Sequence, residues 1–357
     1  MKKSFTLIEL IIVIVIMGIL SNITFDILSK LYQNYVYTKE TNKLNAKLDS
    51  TIELISAKLR DRVRNSVIVT KYPAKWGDND ENQVDFKSIA EMQDSDTDYI
   101  VLEWIGKNYE AKNGMWDNRL NHIQTGWSGF IDLGYTSHKT NDNPKEFNVT
   151  TPDSNFTIIK LIDRNITAAY GFNQDPFESN TTTLIFSGND LGGDIVGDIN
   201  HSYGWYYNES KGREARAVFA IQNYNEYVGS NAQPKVDLNI TAITENNDTT
   251  LYSRYFITRS AYALVPIENN DIENGINDFN LTFVYNYQPW QGDWWNATHG
   301  ESNSTLLATH VTEIRFKKDL DTQVIRLYIC IQSPDVIVEQ NSTHKRNLTL
   351  CKEKAIF

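Results

Sequence analysis

The chain has 357 residues, of which 41% are hydrophobic, so it can bury at least one sizeable core and is not disordered as a whole. Its net charge of -11 and isoelectric point near 5.1 disfavour nucleic-acid binding, because lysine and arginine neutralise the phosphates in such complexes. Composition therefore excludes a basic, phosphate-tracking protein and predicts an ordinary globular body.

The first predicted element is an apolar helix near the N-terminus. Residues 5–25 form an apolar run long enough to cross a bilayer, since a span needs roughly 20 residues. Lys2 and Lys3 precede the run, and no further basic residue follows until Lys30. This bias places the N-terminus in the cytoplasm and the remaining chain outside it.

Glu9 is the only charged residue within that run. A carboxylate in hydrocarbon is costly without a partner, and such residues are usually functional. A simple signal anchor does not need one. A cleaved secretory signal peptide would also show a small-x-small site after the run, which Gly18–Asn22 does not provide.

The letters around Glu9, Lys-Lys-Ser-Phe-Thr-Leu-Ile-Glu-Leu, resemble the N-terminal signature of type IV pilins and type II secretion pseudopilins. The resemblance covers about residues 1–64 and implies that a prepilin peptidase cuts between Ser4 and Phe5, whose new amine is methylated. It also implies that this amine pairs with Glu9 of a neighbouring subunit. Ser4 stands where the family usually has glycine, a departure that could slow processing without abolishing it. Asp26 stands where many major pilins have proline, and this second departure is more in keeping with a minor subunit.

The same resemblance implies a single-pass inner-membrane protein with a periplasmic head, which later enters a pilus or a pseudopilus and can reach the cell surface. The implied partners are other pilins or pseudopilins through the N-terminal helix, the prepilin peptidase, the inner-membrane assembly platform, and membrane lipid before assembly. No nucleic-acid partner is expected, given the acidic charge.

Beyond the apolar run, one helix face continues towards the head. Its apolar residues recur at steps of three or four: Leu44, Leu48, Ile52, Ile55, Leu59 and Val63. The sequence predicts a leader at 1–4 and a helix over 5–70, with a membrane part at 5–25 and an amphipathic stem at 26–70. Unbroken to about residue 67, the helix would be roughly 95 Å long.

Residues 71–357 predict a β-rich antiparallel head, so the fold class is α+β. Residues 77–98 are acidic and predict an exposed loop, and residues 106–235 are a possible insertion. The predicted strands, rich in threonine, valine, isoleucine and aromatic residues, are 99–105, 156–161, 181–187, 215–222, 236–243, 254–265, 279–287, 311–316, 324–332 and 336–339.

The sequence contains no HExxH, P-loop or GxGxxG motif, so it predicts no enzyme and no cofactor. Structural calcium is the one metal considered. Asp94, Asp96 and Asp98 alternate as in a calcium loop without its glycine and glutamate, and Asp190 and Asp194 lie in a glycine-rich segment. Solvated turns are the alternative for both.

Cys330 and Cys351 are the only cysteines, in a region placed outside the cytoplasm, where thiols are oxidised. We expect a disulfide between them, although two buried free thiols are the alternative.

Fourteen asparagines begin Asn-x-Ser/Thr, and ten of these have an acid two residues earlier, where chance predicts about 1.8. The pattern is similar to the extended acceptor of bacterial N-linked oligosaccharyltransferases and predicts glycosylation, whereas crowding of asparagine in turns is the alternative. The ten are Asn148, Asn155, Asn165, Asn180, Asn200, Asn239, Asn247, Asn280, Asn303 and Asn341.

Together these features predict a minor pilin or pseudopilin, a non-catalytic subunit that acts at filament initiation or at the tip. The size of the head supports a minor role, because so large a head on every subunit would crowd a helical lattice. The alternatives are a tip adhesin that uses the aromatic clusters Gly204–Tyr207 and Trp290–Trp295, a DNA-uptake subunit with a local basic stripe, and a secreted enzyme retained by its signal anchor.

Overall fold

The computed structural model describes residues 6–71, 85–93, 96–117, 122–140, 143–169, 174–186, 199–205, 207–208, 212–227, 235–244, 251–268, 278–295, 303–318, 324–340 and 345–357. Within them the helices are α1 (Leu7–Arg60), α2 (Tyr109–Asn113), α3 (Phe156–Ala169) and α4 (Ile199–Ser202). The strands are β1 (Ile68–Lys71), β2 (Phe86–Ser88), β3 (Tyr99–Lys107), β4 (Met115–Asp117), β5 (His122–Gln124), β6 (Asp132–Thr140), β7 (Asn143–Pro152), β8 (Thr183–Phe186), β9 (Tyr207–Asn208), β10 (Gly212–Arg213), β11 (Ala215–Tyr227), β12 (Lys235–Ile243), β13 (Tyr255–Glu268), β14 (Phe279–Tyr287), β15 (Asn303–Lys318), β16 (Ile325–Gln340) and β17 (Lys345–Ile356).

The head is built on one antiparallel sheet of 13 strands. Strand β13 joins its parts, because residues 255–258 pair with β8 while residues 261–268 pair with β14. One arm runs β14-β15-β16-β17, a second runs β8-β11-β12-β7-β6, and a third runs β3-β1-β2. The predicted long helix followed by a β-rich antiparallel head is therefore confirmed.

Two of the buried clusters occupy different arms of this sheet. In the first cluster the apolar face of α1 packs against β14 to β17. Its members come from residues 44–104 and 264–356. The second packs α3 against β7, β8, β11 and β12, and all its buried members lie between Ala111 and Ile257. It overlaps most of the predicted insertion at 106–235, whose boundaries stay a prediction.

The predicted end of the long helix is wrong. Helix α1 ends at Arg60 instead of continuing to about residue 70, so at 1.5 Å per residue it is roughly 80 Å long. The backbone N–H of Val63 donates to Ile105 O over 2.8 Å, and Lys107 N donates to Asp61 O over 2.8 Å. These hydrogen bonds to β3 end the helix, and the β-branched residues that follow form strand β1.

The predicted strand at 156–161 is also wrong, because α3 covers those residues. Asn155 Oδ1 accepts a hydrogen bond from Ile158 N over 2.9 Å, as a helix N-cap does. Phe156, Ile159 and Asp163 are buried at helical steps. The cap and the longer 3.6-residue period outweigh the β propensity of the short run.

All the other predicted strands occur, several with longer bounds. The runs at 324–332 and 336–339 form the single strand β16, and 279–287 matches β14 at both ends. The strands absent from the predicted set are β1, β2, β4, β5, β6, β7, β9, β10 and β17. Residues 77–84 of the predicted acidic loop lie outside the described residues, and residues 86–88 form β2.

Candidate functional site: the N-terminal helix

The start of α1 gives Glu9 two hydrogen-bond donors within its own chain. Thr6 N and Thr6 Oγ1 donate to Glu9 Oε2 over 3.0 and 2.9 Å. This is the Thr-x-x-Glu spacing of a capping box, and it holds the carboxylate at the positive end of the helix dipole. Sequence analysis did not single out Thr6, although that spacing was the available signal.

The first half of α1 has no contact that buries it. Residues 6–35 are all exposed. Of the helices in the described part of the chain, α1 alone is long and apolar enough to cross a membrane, and none of its most apolar stretch is buried. A Cβ at Gly18 would meet no atom within 4 Å, so packing inside the subunit does not require glycine there.

The second half of α1 packs on the sheet face formed by β15, β16 and β17. Burial begins at Glu40, whose Oε2 accepts from Ser333 Oγ over 3.3 Å, and continues along the predicted apolar face. Lys47 Nζ donates to Thr309 O over 2.9 Å, and Lys354 Nζ donates to Glu53 Oε1 over 2.6 Å. Burial lowers the pKa of Lys47. The helix therefore has one half fixed to the head and one half exposed.

Residues 1–21 match the family described as the prokaryotic N-terminal methylation motif. This is a type IV prepilin cleavage segment. The match covers the residues before α1 and the exposed half of α1 as far as Ser21. No curated protein and no solved structure matches the chain.

The predicted processing residues, Ser4 and Phe5, lie outside the described residues. Glu9 lies in the first turn of α1, at the start of the exposed half, and Asp26 lies further along that half. The sequence therefore located the prepilin segment, while the roles of its residues stay predictions.

Cys330 and Cys351 form the predicted disulfide. They lie directly opposite each other on β16 and β17, the two strands that pack against the second half of α1. The bond therefore joins the C-terminal strand to the sheet that supports the helix.

The aspartates considered for calcium form no metal site in the described part of the chain, where no group of three metal-binding side chains occurs. Asp96 Oδ2 accepts from Gln93 N over 2.8 Å, and its Oδ1 pairs with Lys87 Nζ over 2.9 Å. Asp98 lies in the turn before β3. Asp94, Asp190 and Asp194 lie outside the described residues.

Two glycosylation candidates face each other across paired strands. Asn148 on β7 lies opposite Asn239 on β12, and Asn239 Nδ2 donates to Asn148 Oδ1 over 3.3 Å. Thr150 Oγ1 donates to Asp237 Oδ1 over 2.6 Å, so the hydroxyl of one sequon binds the acid of the other. The acid, asparagine and threonine of each alternate with buried residues, so strand periodicity contributes to the two-residue offset.

Other candidates are engaged in the fold. The Asn155 side chain caps α3, and the backbone carbonyl of Asn180 accepts a hydrogen bond from Trp290 Nε1 over 2.8 Å. Asn165 is exposed on α3, but the acid of its sequon, Asp163, is fully buried and accepts from Asn108 Nδ2 over 2.7 Å.

Of the remaining candidates, Asn280 and Asn303 are half-buried on β14 and β15. Asp278, the acid of the Asn280 sequon, accepts from Gln332 Nε2 over 3.0 Å. The side chain of Asn200 is not described, and Asn247 and Asn341 lie outside the described residues.

The tryptophans considered for an adhesive surface mostly pack inside the head. Trp290 and Trp295 are 2% and 8% exposed and belong to a third buried cluster, against which Trp205 and Trp294 are partly buried. The described tryptophans of the two clusters therefore contribute mainly to the core of the head.

A buried carboxyl lies on β3, opposite Ile68 of β1. Glu103 is 3% exposed and accepts hydrogen bonds from Tyr287 Oη over 2.9 Å and from Thr70 Oγ1 over 3.2 Å. Burial raises the pKa of Glu103 to about 7, because loss of solvent outweighs both hydrogen bonds. Sequence analysis missed it, since a single glutamate in a β run gives no signal of its burial.

Proposed function

We propose that this chain is a minor pilin or pseudopilin, a structural subunit of a type IV pilus or a type II secretion pseudopilus. Prepilin peptidase removes residues 1–4, and the exposed half of α1 first lies in the inner membrane and then packs in the filament core. The prepilin segment followed by an apolar, exposed half-helix is the observation that supports this most strongly.

Assembly gives Glu9 a cationic partner in this proposal. In the membrane the carboxylate relies on the two donors of Thr6. In the filament the Phe5 amine of a neighbour adds a charge, and a buried pair of this kind fixes the register between subunits. The head stays outside the core, attached through the second half of α1.

We place the subunit at filament initiation or at the tip. Its sheet of 13 strands and its second cluster, which lies on a different arm of the sheet from the strands under α1, make a head too large for every position of a tight lattice. The DNA-uptake alternative has less support, because Arg315 and Arg326 on adjacent strands each pair with a glutamate.

Site-specific crosslinking in the native cells tests this proposal. A photocrosslinking residue at Leu31, which is 59% exposed, should capture another pilin, a pseudopilin or an assembly-platform protein. The same residue at Leu48, which is 1% exposed against the chain's own head, is the matched control and should capture none of them. Absence of such a partner at Leu31 would overturn the proposal.

We also propose that some of the ten acid-containing sequons carry oligosaccharides. The acceptor must be exposed and free to enter an enzyme, so Asn148, Asn155 and Asn239, which are bound within the fold, are the least suited. Intact-mass analysis of protein from the native host should show sugar-sized additions. Unmodified protein would contradict the proposal, whereas glycopeptides at Asn148 or Asn239 would contradict only the ranking of the sites.

A further inference from the structure

Three neighbouring strands of the head carry asparagines on the face that points away from the core. In the register of the sheet, Asn223 on β11 lies opposite Asn239 on β12, and Asn239 lies opposite Asn148 on β7. Three side-chain amides therefore stand in one row across three adjacent strands.

The next row continues the polar face, because Asn225, Asp237 and Thr150 are paired in the same way. These two rows line a hollow of about 360 Å³, which Tyr135 and Lys235 complete. That volume is within the range of small-ligand pockets, which begins near about 300 Å³.

Two exposed aromatic rings flank the hollow. Tyr135 is 72% exposed and Tyr227 is 48% exposed. Lys235 Nζ lies 5.9 Å from the ring centroid of Tyr135 and 5.2 Å from that of Tyr227. The rings therefore offer flat apolar surfaces beside a polar floor.

This composition is unusual for a sheet face that water merely covers. Asparagine is depleted in strands, because its side chain competes for backbone hydrogen bonds and packs poorly on a pleated surface. The opposite face of β12 shows the expected preference, with Val236, Leu238 and Ile240 all buried. Four asparagines on three adjacent strands conflict with local propensity, and such conflicts are expected at functional sites.

We propose that this hollow binds a neutral oligosaccharide carried by another molecule. Amides both donate and accept hydrogen bonds, as sugar hydroxyls require, and tyrosine rings pack against the apolar faces of pyranoses. Lys235 and Asp237 are the two charged residues that line the hollow, and they cancel, so neither a polyanion nor a polycation is favoured. The inference does not depend on the role of the N-terminal helix.

Ligand-observed NMR on the full chain tests the inference. The protein is made in a host without an oligosaccharyltransferase and kept in lauryldimethylamine oxide, because detergents with sugar head groups would compete. Maltotriose, cellotriose and chitotriose are the neutral probes, with a heparin tetrasaccharide as the charged comparison. We expect at least one neutral probe to bind below about 10 mM and more tightly than heparin.

The double variant Asn223→Ala/Asn225→Ala should weaken that binding about tenfold or more, and neither asparagine belongs to a sequon. Gln222→Ala, exposed on the same strand but outside the hollow, is the matched control and should stay within about twofold of the parent. Circular dichroism confirms that each variant folds.

Three outcomes would overturn the inference. The first is that no neutral probe binds, and the second is that the double variant binds as well as the parent. The third is a covalent glycan on Asn148 or Asn239 in protein from the native host, which would fill the hollow with the chain's own sugar.

Discussion

At the scale of single residues, Glu9 and Glu103 show how two carboxyl groups can be held in different ways. Glu9 is exposed in the single subunit and accepts two hydrogen bonds from Thr6, so it can change partners when its surroundings change. Glu103 is enclosed by β1, β3 and β14, with Thr70 and Tyr287 as donors. Glu9 is the group that we propose acts in assembly, whereas Glu103 is expected to affect the stability of the head.

Replacing Glu9 with alanine should reduce incorporation of the subunit into filaments about tenfold or more. The Phe5 amine of a neighbour would lose its partner in the apolar core, and an unpaired buried charge costs about 3 kcal/mol or more. The fraction of subunit in sheared filaments measures this, with membrane insertion followed in parallel. Glu53→Ala, on the exposed flank of the same helix, is the control, and equal yields for both variants would contradict the assignment.

Glu103 makes the stability of the head depend on pH. Because burial raises its pKa from 4.5 to about 7, the folded state binds more protons than the unfolded state between these values. The free energy of unfolding therefore falls as the pH rises from about 4.5 to about 7, by roughly 3 kcal/mol in total.

Glu103→Gln should remove most of that fall and make the head more stable than the parent at pH 8. Chemical denaturation at several pH values measures the difference. The matched control is Glu110→Gln, the same substitution at an exposed glutamate. A parallel curve for Glu103→Gln and the parent would show that Glu103 is not the titrating group.

At the scale of elements, the second half of α1 and the C-terminal strands form one unit. The helix buries Leu44, Leu48, Ile52, Ile55 and Leu59 against β14 to β17. The disulfide fixes β17 to β16 beneath the same helix. Removal of apolar groups at this contact should therefore destabilise the head and not only the helix.

Leu48→Ala should lower the free energy of unfolding by about 2–5 kcal/mol, because it leaves a cavity in the first cluster. Leu54→Ala, on the same helix, is the matched control, since Leu54 is 43% exposed and Leu48 is 1% exposed. Denaturation of the full chain in detergent measures both. Equal losses would mean that the helix does not pack as described.

Replacing both Cys330 and Cys351 with alanine should lower the free energy of unfolding by about 3 kcal/mol, because the closed loop spans 21 positions. The reduced parent protein should show the same loss. A loss that appears in the variant but not on reduction would assign it to packing of the side chains instead of the bond.

The sequence predicted the elements whose patterns are local. The steps of the apolar residues gave the buried face of α1, and alternation gave β14 at both ends. It failed at the end of α1, which depends on the tertiary pairing of Val63 with Ile105. It also failed at α3, where a β-like run concealed a local signal, the cap at Asn155.

The site shows the same division. Glu9 and its surrounding letters could be read from sequence because the prepilin segment is a short continuous motif. The row of Asn223, Asn239 and Asn148 could not be read from the sequence, because three distant stretches of chain meet there only through the register of the sheet. The acid-containing sequons at Asn148 and Asn239 can be recognised in the sequence. The sequence alone does not show whether their two-residue offset reflects a glycosylation acceptor or the alternation of side chains along a strand.

At the scale of the whole molecule, the chain divides into an apolar half-helix and an acidic head. The half-helix has no partner within the described chain, whereas the other half of α1 is fixed to the sheet. The second cluster and the asparagine-lined hollow lie on the arm of the sheet that runs from β8 to β6, whereas α1 packs against β15, β16 and β17.

The mass of the mature N-terminal peptide, from protein isolated from the native host, tests the central claim most directly. We predict a peptide that begins at Phe5, carries one additional methyl group and retains the apolar residues up to Leu20. A chain that keeps Met1 to Ser4, or one that has lost the whole apolar segment, would contradict the assignment of residues 1–21 to filament assembly.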